Sequence, residues 1–94
     1  MTILAFDTAT PATTVALSGV GNAVFTARHD PLPGERPGHA AHLLPLTARV
    51  LEKASIGWEQ VDRIAVGIGP GTFTGLRIGI ATARALARAR DLPL

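Results

Sequence analysis

The sequence predicts an α/β fold in which a three-strand antiparallel meander precedes a helix, a parallel strand and a second helix. Near the start of the chain, apolar and polar residues alternate over short segments, which is the period of half-buried strands. Farther along, apolar residues recur every three or four positions in two segments of helical length, separated by a short apolar run. A strand reached through a helical crossover usually joins its sheet in parallel. We therefore expect the fourth strand to lie parallel to the first.

The composition limits the classes to which this chain can belong. Its 94 residues are 47% hydrophobic and 17% charged, with a net charge of +2, which suits one small domain with a core and argues against disorder. The chain has no cysteine, so disulfides and thiolate metal sites are excluded and any chemistry must use oxygen and nitrogen groups. The absence of cysteine is consistent with a cytoplasmic protein. We find neither a signal segment nor the ~18-residue apolar run of a membrane helix.

The three strands of the meander are predicted over Thr2–Asp7, Thr13–Ser18 and Ala23–Arg28, with turns at residues 9–12 and 19–22. The first strand is apolar almost throughout, as is typical of a strand that is covered on both faces. The other two alternate, so each should bury one face only. Short turns of this kind join antiparallel neighbours.

The two helices are predicted over His39–Ala54 and Phe73–Arg90. Before the first helix, residues Asp30–Gly38 are rich in Pro and Gly, which suppress regular structure, so we expect a mobile surface connection. Pro45 falls within or just past the first turn if that helix begins one or two residues later than His39. An earlier start implies a kink.

The second helix is apolar on two sides and basic along a third. Its basic stripe consists of Arg77, Arg84 and Arg88, which is either a solvated face or a contact for RNA phosphate or an acidic partner. Small residues recur at every fourth position from Gly71 to Ala87, a spacing that lets another backbone approach closely. We therefore expect this helix to lie between its own sheet and a second surface.

A link at Ser55–Gln60 and a buried strand over Asp62–Ile68 separate the two helices. Alternate residues from Ile64 to Ile68 should share one face of that strand. After the second helix, residues 92–94 resemble the approach to a further strand. We therefore expect this chain to be the front part of a longer protein.

Two segments that follow predicted strands could bind phosphate. Gly69–Gly79 leads into the second helix, where glycines expose backbone N–H groups that favour an anion. The same glycines could instead permit close helix packing, and their spacing matches neither a Walker A loop nor a Rossmann loop. The Asp7–Thr10 turn offers a carboxylate and two hydroxyls, which could hold a metal-bound phosphate or satisfy their own backbone.

A metal site and a catalytic triad have less support. His39 and His42 lie three residues apart, a helical spacing at which two imidazoles can grip a metal, but no third ligand is evident. A capping or packing role is therefore favoured for both. Ser18 and Ser55 are the only serines, and neither lies in a nucleophile-elbow sequence.

The segment Gly-Pro-Gly-Thr-Phe-Thr-Gly-Leu-Arg-Ile-Gly at Gly69–Gly79 resembles the signature of the TsaB (YeaZ) family. Three further segments agree with this resemblance, namely Asp7–Thr10, His42–Pro45 and Ile64–Gly67. The resemblance spans the whole chain. Members of this family take part in making the threonylcarbamoyladenosine modification of tRNA.

The resemblance implies an actin-like ATPase fold with a ribonuclease-H-like sheet, of which residues 1–94 are the N-terminal lobe without the second lobe. It also implies a subunit that is not itself an enzyme, that pairs with the catalytic TsaD subunit and that forms a homodimer when alone. A TsaE-like ATPase joins the complex, tRNA is met indirectly, and no membrane is involved. By the same resemblance, we expect the chain alone to bind no cofactor and no metal, with ATP possible only in the complex.

The resemblance also indicates where this chain departs from catalytic relatives. Actin-like ATPases carry Asp-x-Gly-Thr in the first phosphate loop, whereas Ala9 stands here in place of the glycine, so a Cβ intrudes where backbone must meet phosphate. TsaD relatives hold iron with a His-x-x-x-His pair, and the spacing from His39 to His42 is one residue shorter. What remains is a vestigial set of phosphate-loop candidates: Asp7, Thr8, Thr10, Gly69, Gly71 and Thr72.

Two functions stay open at this point. The first is a scaffold whose two helices dock onto the catalytic subunit. Its candidate interface residues, taken from the two-sided apolar pattern, are Leu44, Ala48, Leu51, Ile78, Thr82, Ala85 and Ala89. The alternative is an actin-like nucleotide-binding enzyme, or a metallopeptidase homologue, that uses the Asp7 turn and the Gly69–Gly79 loop.

Overall fold

The computed structural model describes all of residues 1–94 as a four-stranded sheet with two helices. In chain order the elements are β1 (Ile3–Asp7), β2 (Thr13–Val20), β3 (Ala23–His29), α1 (His39–Ala54), a 3₁₀ turn (Trp58–Gln60), β4 (Arg63–Val66) and α2 (Phe73–Arg90). The strands lie in the order β3-β2-β1-β4. The antiparallel meander and the parallel pairing of β4 with β1 are both as predicted.

Both helices cover the same face of the sheet. α1 packs on β2 and β3, while α2 packs on β4 and β1. Alternate strand residues point toward the helices and meet their apolar sides. The buried residues of this core are Leu4, Phe6, Val15, Leu17, Ala27, Leu43, Leu46, Val50, Leu51, Val61, Ile64, Ala83 and Ala87.

The other face of the sheet is only partly covered, which corrects the expectation that the first strand is buried on both faces. Ile3 and Ala5, which alternate with the buried Leu4 and Phe6, are half-buried. The apolar residues of β1 would allow both of its faces to be buried. Both helices of this chain, however, lie on one side of the sheet, so they cover only one face. β1 is therefore an apolar strand with one covered face.

β4 is shorter than predicted, whereas β2 is longer. β4 ends at Val66, so Ile68 lies outside the strand and is 76% exposed. The backbone turns at Gly69, whose φ of +118° is a conformation that favours glycine. β2 continues to Val20, so the turn before β3 shrinks to two residues.

Both helices have the predicted bounds. α2 begins after Thr72, whose side-chain oxygen accepts a hydrogen bond from the backbone N–H of Gly75 at 3.1 Å and so caps the helix. α1 begins at His39, so Pro45 lies inside the helix, beyond its first turn, and has no N–H to donate to the carbonyl of Ala41. Neither helix combines the length and the apolar character needed to cross a membrane.

The last residues of the chain lie beside β4. The backbone N–H of Ile64 donates a hydrogen bond to the carbonyl oxygen of Pro93 at 3.1 Å. Residues 92–94 therefore run along the edge of the sheet next to β4, which is where the predicted approach to a further strand would lie.

Candidate functional site

Two loops meet beside the start of α2. Because β1 and β4 are parallel, the turn that follows β1 and the glycine loop that follows β4 leave the sheet at the same edge. The backbone N–H of Thr72 donates a hydrogen bond to the carbonyl oxygen of Ala9 at 3.1 Å, and a Cβ on Gly71 would collide with Ala9. The two segments that the sequence indicated as phosphate loops are therefore in direct contact with each other.

Glycines in α2 let the helix lie directly on the turn that follows β1. A Cβ on Gly75 would collide with the carbonyl oxygen of Thr8, and a Cβ on Gly79 would collide with the hydroxyl of Thr8. The buried residues of α2 are Gly75, Gly79, Ala83 and Ala87. The prediction that the small-residue stripe admits another backbone is confirmed, and that backbone belongs to the turn between β1 and β2.

The polar groups of the turn after β1 have partners within that turn and on α2. Thr8 is fully buried, and its hydroxyl donates a hydrogen bond to the carbonyl oxygen of Gly75 at 2.5 Å. The Asp7 carboxylate accepts a hydrogen bond from the backbone N–H of Ala9 at 2.8 Å and lies against Gly67. The phosphate-loop candidates other than Thr8 are exposed, namely Asp7, Thr10, Gly69, Gly71 and Thr72.

His39 connects the same turn to α1 from inside the protein. It is 3% exposed, and its Nδ1 lies 2.8 Å from the hydroxyl oxygen of Thr13. Burial lowers the pKa of His39, although a hydrogen bond with the Thr10 backbone and the charge of Asp7 oppose this shift. A neutral imidazole is therefore favoured near neutral pH. This position agrees with a packing role at the start of α1.

His42 has a different partner from His39. Its ring stacks on that of His29, with 3.5 Å between the ring centroids and 14° between the planes. The two histidines of α1 therefore do not converge, and no group of three or more potential metal ligands is found in the chain. Sequence reasoning missed His29, although the alternation of β3 places it on the same face as the buried Ala27, toward α1.

A groove of about 360 Å³ lies beside the start of α2, with Arg36, His39, Thr74 and Gly75 among its lining residues. The first N–H groups of a helix have no partner within the helix, and Arg36 adds positive charge, so the groove suits an anion. Sequence reasoning missed Arg36 because its segment has no periodic pattern. Thr74 could have been found from its place in the first turn of the predicted helix.

The candidate interface residues divide into three groups. Leu44 is 53% exposed, and Ala48, Ala85 and Ala89 are also exposed. Ile78 and Thr82 are half-buried. Leu51 is 6% exposed and belongs to the core. The prediction of Leu51 as an outward residue is corrected, because the buried side of α1 is wide enough to include a residue one turn after the buried Thr47.

Known proteins match both the sequence and the fold. The family model for TsaD, described as tRNA N6-adenosine threonylcarbamoyltransferase, matches residues 35–94. A protein from Haemophilus influenzae named tRNA threonylcarbamoyladenosine biosynthesis protein TsaB is 39% identical over 94 residues, which is 100% of this chain and 38% of that protein. This chain belongs to the TsaB (YeaZ) family.

A solved structure from this family has the same architecture. YeaZ from Pseudomonas aeruginosa has a TM-score of 0.87 and 37% sequence identity, and the match covers 99% of this TsaB-family chain and 42% of that one. The predicted actin-like, ribonuclease-H-like lobe is thereby confirmed.

A tRNA N6-adenosine threonylcarbamoyltransferase from Novosphingobium aromaticivorans is also similar, with 42% identity over 71 residues, which is 70% of this chain and 20% of that protein. The TsaB-family chain therefore spans less than half the length of each of these proteins.

Proposed function

We propose that this TsaB-family chain acts in the biosynthesis of threonylcarbamoyladenosine in tRNA, as a non-catalytic scaffold that binds and activates a TsaD-like catalytic subunit. The name of the Haemophilus influenzae relative supports the process. Residues 1–94 serve as the N-terminal lobe of the scaffold, in the cytoplasm. The chain alone needs no cofactor, and any ATP is bound in the complex, which also contains a TsaE-like ATPase. Contact with tRNA is made through the catalytic subunit.

The contact between the two loops carries this proposal. A phosphate-binding loop must present free donors and leave space for its ligand. In this chain the Thr8 hydroxyl and the backbone N–H groups of Ala9 and Thr72 already have acceptors. Ala9 itself is 6% exposed and packs against Gly71. These three donors and the space that Ala9 fills are therefore not open to a phosphate, which supports a scaffold rather than an ATPase.

The outer sides of the helices form the docking surface for the catalytic subunit. Exposed alanines let a partner helix approach closely, and an exposed leucine supplies apolar area. The docking residues are Leu44, Ala48, Ala85 and Ala89, flanked by the half-buried Ile78 and Thr82. The same surface forms a homodimer when the chain is alone, which is weaker than the pair with the catalytic subunit.

Pairing with a TsaD-like subunit is tested by size-exclusion chromatography with light scattering, using the catalytic subunit of the same organism. We expect a heterodimer with the natural chain and none with Ala85→Arg, while circular dichroism stays unchanged. Ala23→Arg is the matched control, because it makes the same change at an exposed site on β3, the edge strand farthest from α2. A heterodimer that survives Ala85→Arg contradicts the assigned surface, and no heterodimer with the natural chain contradicts the function.

A nucleotide-binding enzyme is the second candidate, and the groove beside α2 favours it. Arg36 and the N-terminus of α2 could hold phosphates at a place that the two loops do not block. Calorimetry with ATP and Mg²⁺ separates the two functions. Tight binding by the chain alone that is lost in Arg36→Gln supports the enzyme, and no binding supports the scaffold.

A further inference from the structure

The outer side of α2 carries positive charge without internal compensation. The helix holds four of the nine basic residues of the chain, and its sequence contains neither Asp nor Glu. All four arginines are exposed, and Arg77, Arg84 and Arg88 lie on the outer side, whereas Arg90 lies over the ring of Trp58. Asp91 follows the helix but forms no ion pair with it, since the only ion pair in the chain joins Arg28 and Asp30. The arginines of α2 are therefore available to carboxylates from outside the chain.

The same side of α2 has two depressions of the kind that receive side chains of another helix. One depression is lined by Thr74, Arg77, Ile78 and Ala81, which are spaced i, i+3, i+4 and i+7. Four residues at this spacing form the hole that accepts a protruding side chain when helices pack together. A second depression, lined by Arg84, Ala85, Arg88 and Ala89, lies farther along the helix. The lining of each depression thus combines two apolar residues with one or two arginines.

We infer that this side of α2 docks an acidic amphipathic helix of a partner protein, whose apolar side chains fill the two depressions while its Asp and Glu residues pair with Arg77, Arg84 and Arg88. The inference rests on the proposed function, since it specifies the chemistry of the helix that the scaffold selects. Charge complementarity across such a contact selects the partner and speeds its association.

Two other occupants fit this surface less well. A second copy of the chain would bring a helix with four arginines and no carboxylate against the same arginines, and like charges in contact oppose association. RNA is bound through its phosphates together with stacking of bases on aromatic side chains. Neither depression has an aromatic residue in its lining. The exposed aromatic ring of α2, Phe73, already lies under Arg77, whose guanidinium carbon is 5.3 Å from the ring centroid.

The sign of the salt dependence separates the acidic helix from a second copy. Salt screens attraction and repulsion alike. Pairing with an acidic helix should weaken as NaCl is raised, whereas any homodimer through α2 should strengthen. At low salt, the homodimer should therefore be weaker than the complex with an acidic helix.

The test measures binding of fluorescently labelled helical peptides to the full chain by anisotropy, at low and high NaCl. Three peptides of the length of α2 share one apolar seam of Leu and Ala and differ only in the flanking residues, which are Glu, Gln or Lys. We expect the Glu peptide to bind about tenfold more tightly than the Gln peptide at low salt, and the Lys peptide to bind most weakly. The double variant Arg84→Glu/Arg88→Glu should reverse the order of the Glu and Lys peptides.

Arg63→Glu is the matched control and should leave the order unchanged. Arg63 is exposed on β4, where it alternates with the buried Ile64 and so points to the side of the sheet away from α2. Equal binding of the Glu and Gln peptides, no binding of the Glu peptide, or a preference that the Arg84→Glu/Arg88→Glu variant retains would overturn the inference. Binding of bulk tRNA without binding of the Glu peptide would also overturn it, by assigning the surface to nucleic acid.

The same variants distinguish failure of this inference from failure of the proposed function. If Arg84→Glu/Arg88→Glu pairs with the TsaD-like subunit as tightly as the natural chain does, the scaffold function stands and the charge selection is wrong. If the natural chain does not pair with that subunit but prefers the Glu peptide, the surface chemistry stands and the partner is a different acidic protein.

Discussion

The inner and outer sides of α2 place opposite demands on their side chains. On the inner side, Gly75 and Gly79 touch Thr8 so closely that neither position has space for a Cβ. On the outer side, Ala81 and Ala85 face solvent and could accept almost any residue. Small residues on the inside are therefore required by a contact within the chain, whereas those on the outside leave room for another molecule. Inner substitutions should disturb folding, and outer ones should disturb association.

The largest effect on stability is expected from Gly75→Val, on the inner side of α2. The side chain would enter the space of the Thr8 carbonyl, and such overpacking should lower the free energy of unfolding by about 3 kcal/mol. Ala81→Val on the outer side is the matched control, with an expected loss of about 0.5 kcal/mol from helix propensity. Urea denaturation followed by circular dichroism measures both. Equal stability of the two variants would show that the inner contact is not tight.

A smaller effect is expected from Thr8→Val, which keeps the shape of the side chain but removes its hydroxyl. The carbonyl of Gly75 then loses its buried donor, so the free energy of unfolding should fall by about 1–2 kcal/mol. Thr26→Val makes the same change at an exposed site on β3 and should cost much less. A loss in Thr8→Val no larger than that control would mean that the hydrogen bond contributes nothing to the inner contact.

Acid should lower the free energy of unfolding through His39, whose ring lies beside Gly75 on the inner side of α2. Because burial lowers the pKa of His39 in the folded chain, the unfolded chain binds more protons once the pH falls below about 6.5. The free energy of unfolding should therefore be unaffected by this group above that pH and should decline below it. Urea denaturation across this pH range should show a smaller decline in His39→Gln, which cannot titrate there. Parallel pH profiles for the two proteins would exclude His39 as the cause.

The smallest effect on folding is expected on the outer side. Arg84→Gln/Arg88→Gln removes two exposed charges that have no partner in the chain, so its free energy of unfolding should stay within about 0.5 kcal/mol of the natural value. Its preference for the Glu peptide over the Gln peptide should nevertheless shrink. A large loss of stability in this variant would mean that the outer arginines serve the fold itself.

The helices and the pairing of the strands could be predicted because they depend on local patterns. The bounds of α1 and α2 follow from the periodicity of their apolar residues, a pattern that lies within each helix. Close packing by the glycines of residues 69–79 was predicted only as one of two alternatives, and the contact of Gly71 with Ala9 was not predicted. Glycine spacing signals close approach, but it does not say whether a phosphate or another loop approaches.

The remaining features depend on tertiary geometry that no local pattern contains. Leu51 was wrongly placed on the outer side of α1. The width of the buried side of that helix depends on how the helix lies on the sheet, which the periodicity of the sequence does not contain. The stacking of His29 on His42 requires the end of β3 to meet the first turn of α1 across an irregular segment. Arg36 reaches the groove from that same segment. In each case the sequence pattern does not contain the path that the chain follows between its helices and strands.

The only tryptophan of the chain lies under the last arginine of α2. The guanidinium carbon of Arg90 is 4.9 Å from the ring centroid of Trp58, and the indole packs against the core. Its fluorescence emission therefore depends on whether the last turn of α2 is seated on the domain. Fraying of that turn, or a shift of the helix when a partner binds, changes the light from a single native fluorophore. The chain thus carries its own optical probe of the helix on which both folding and association depend.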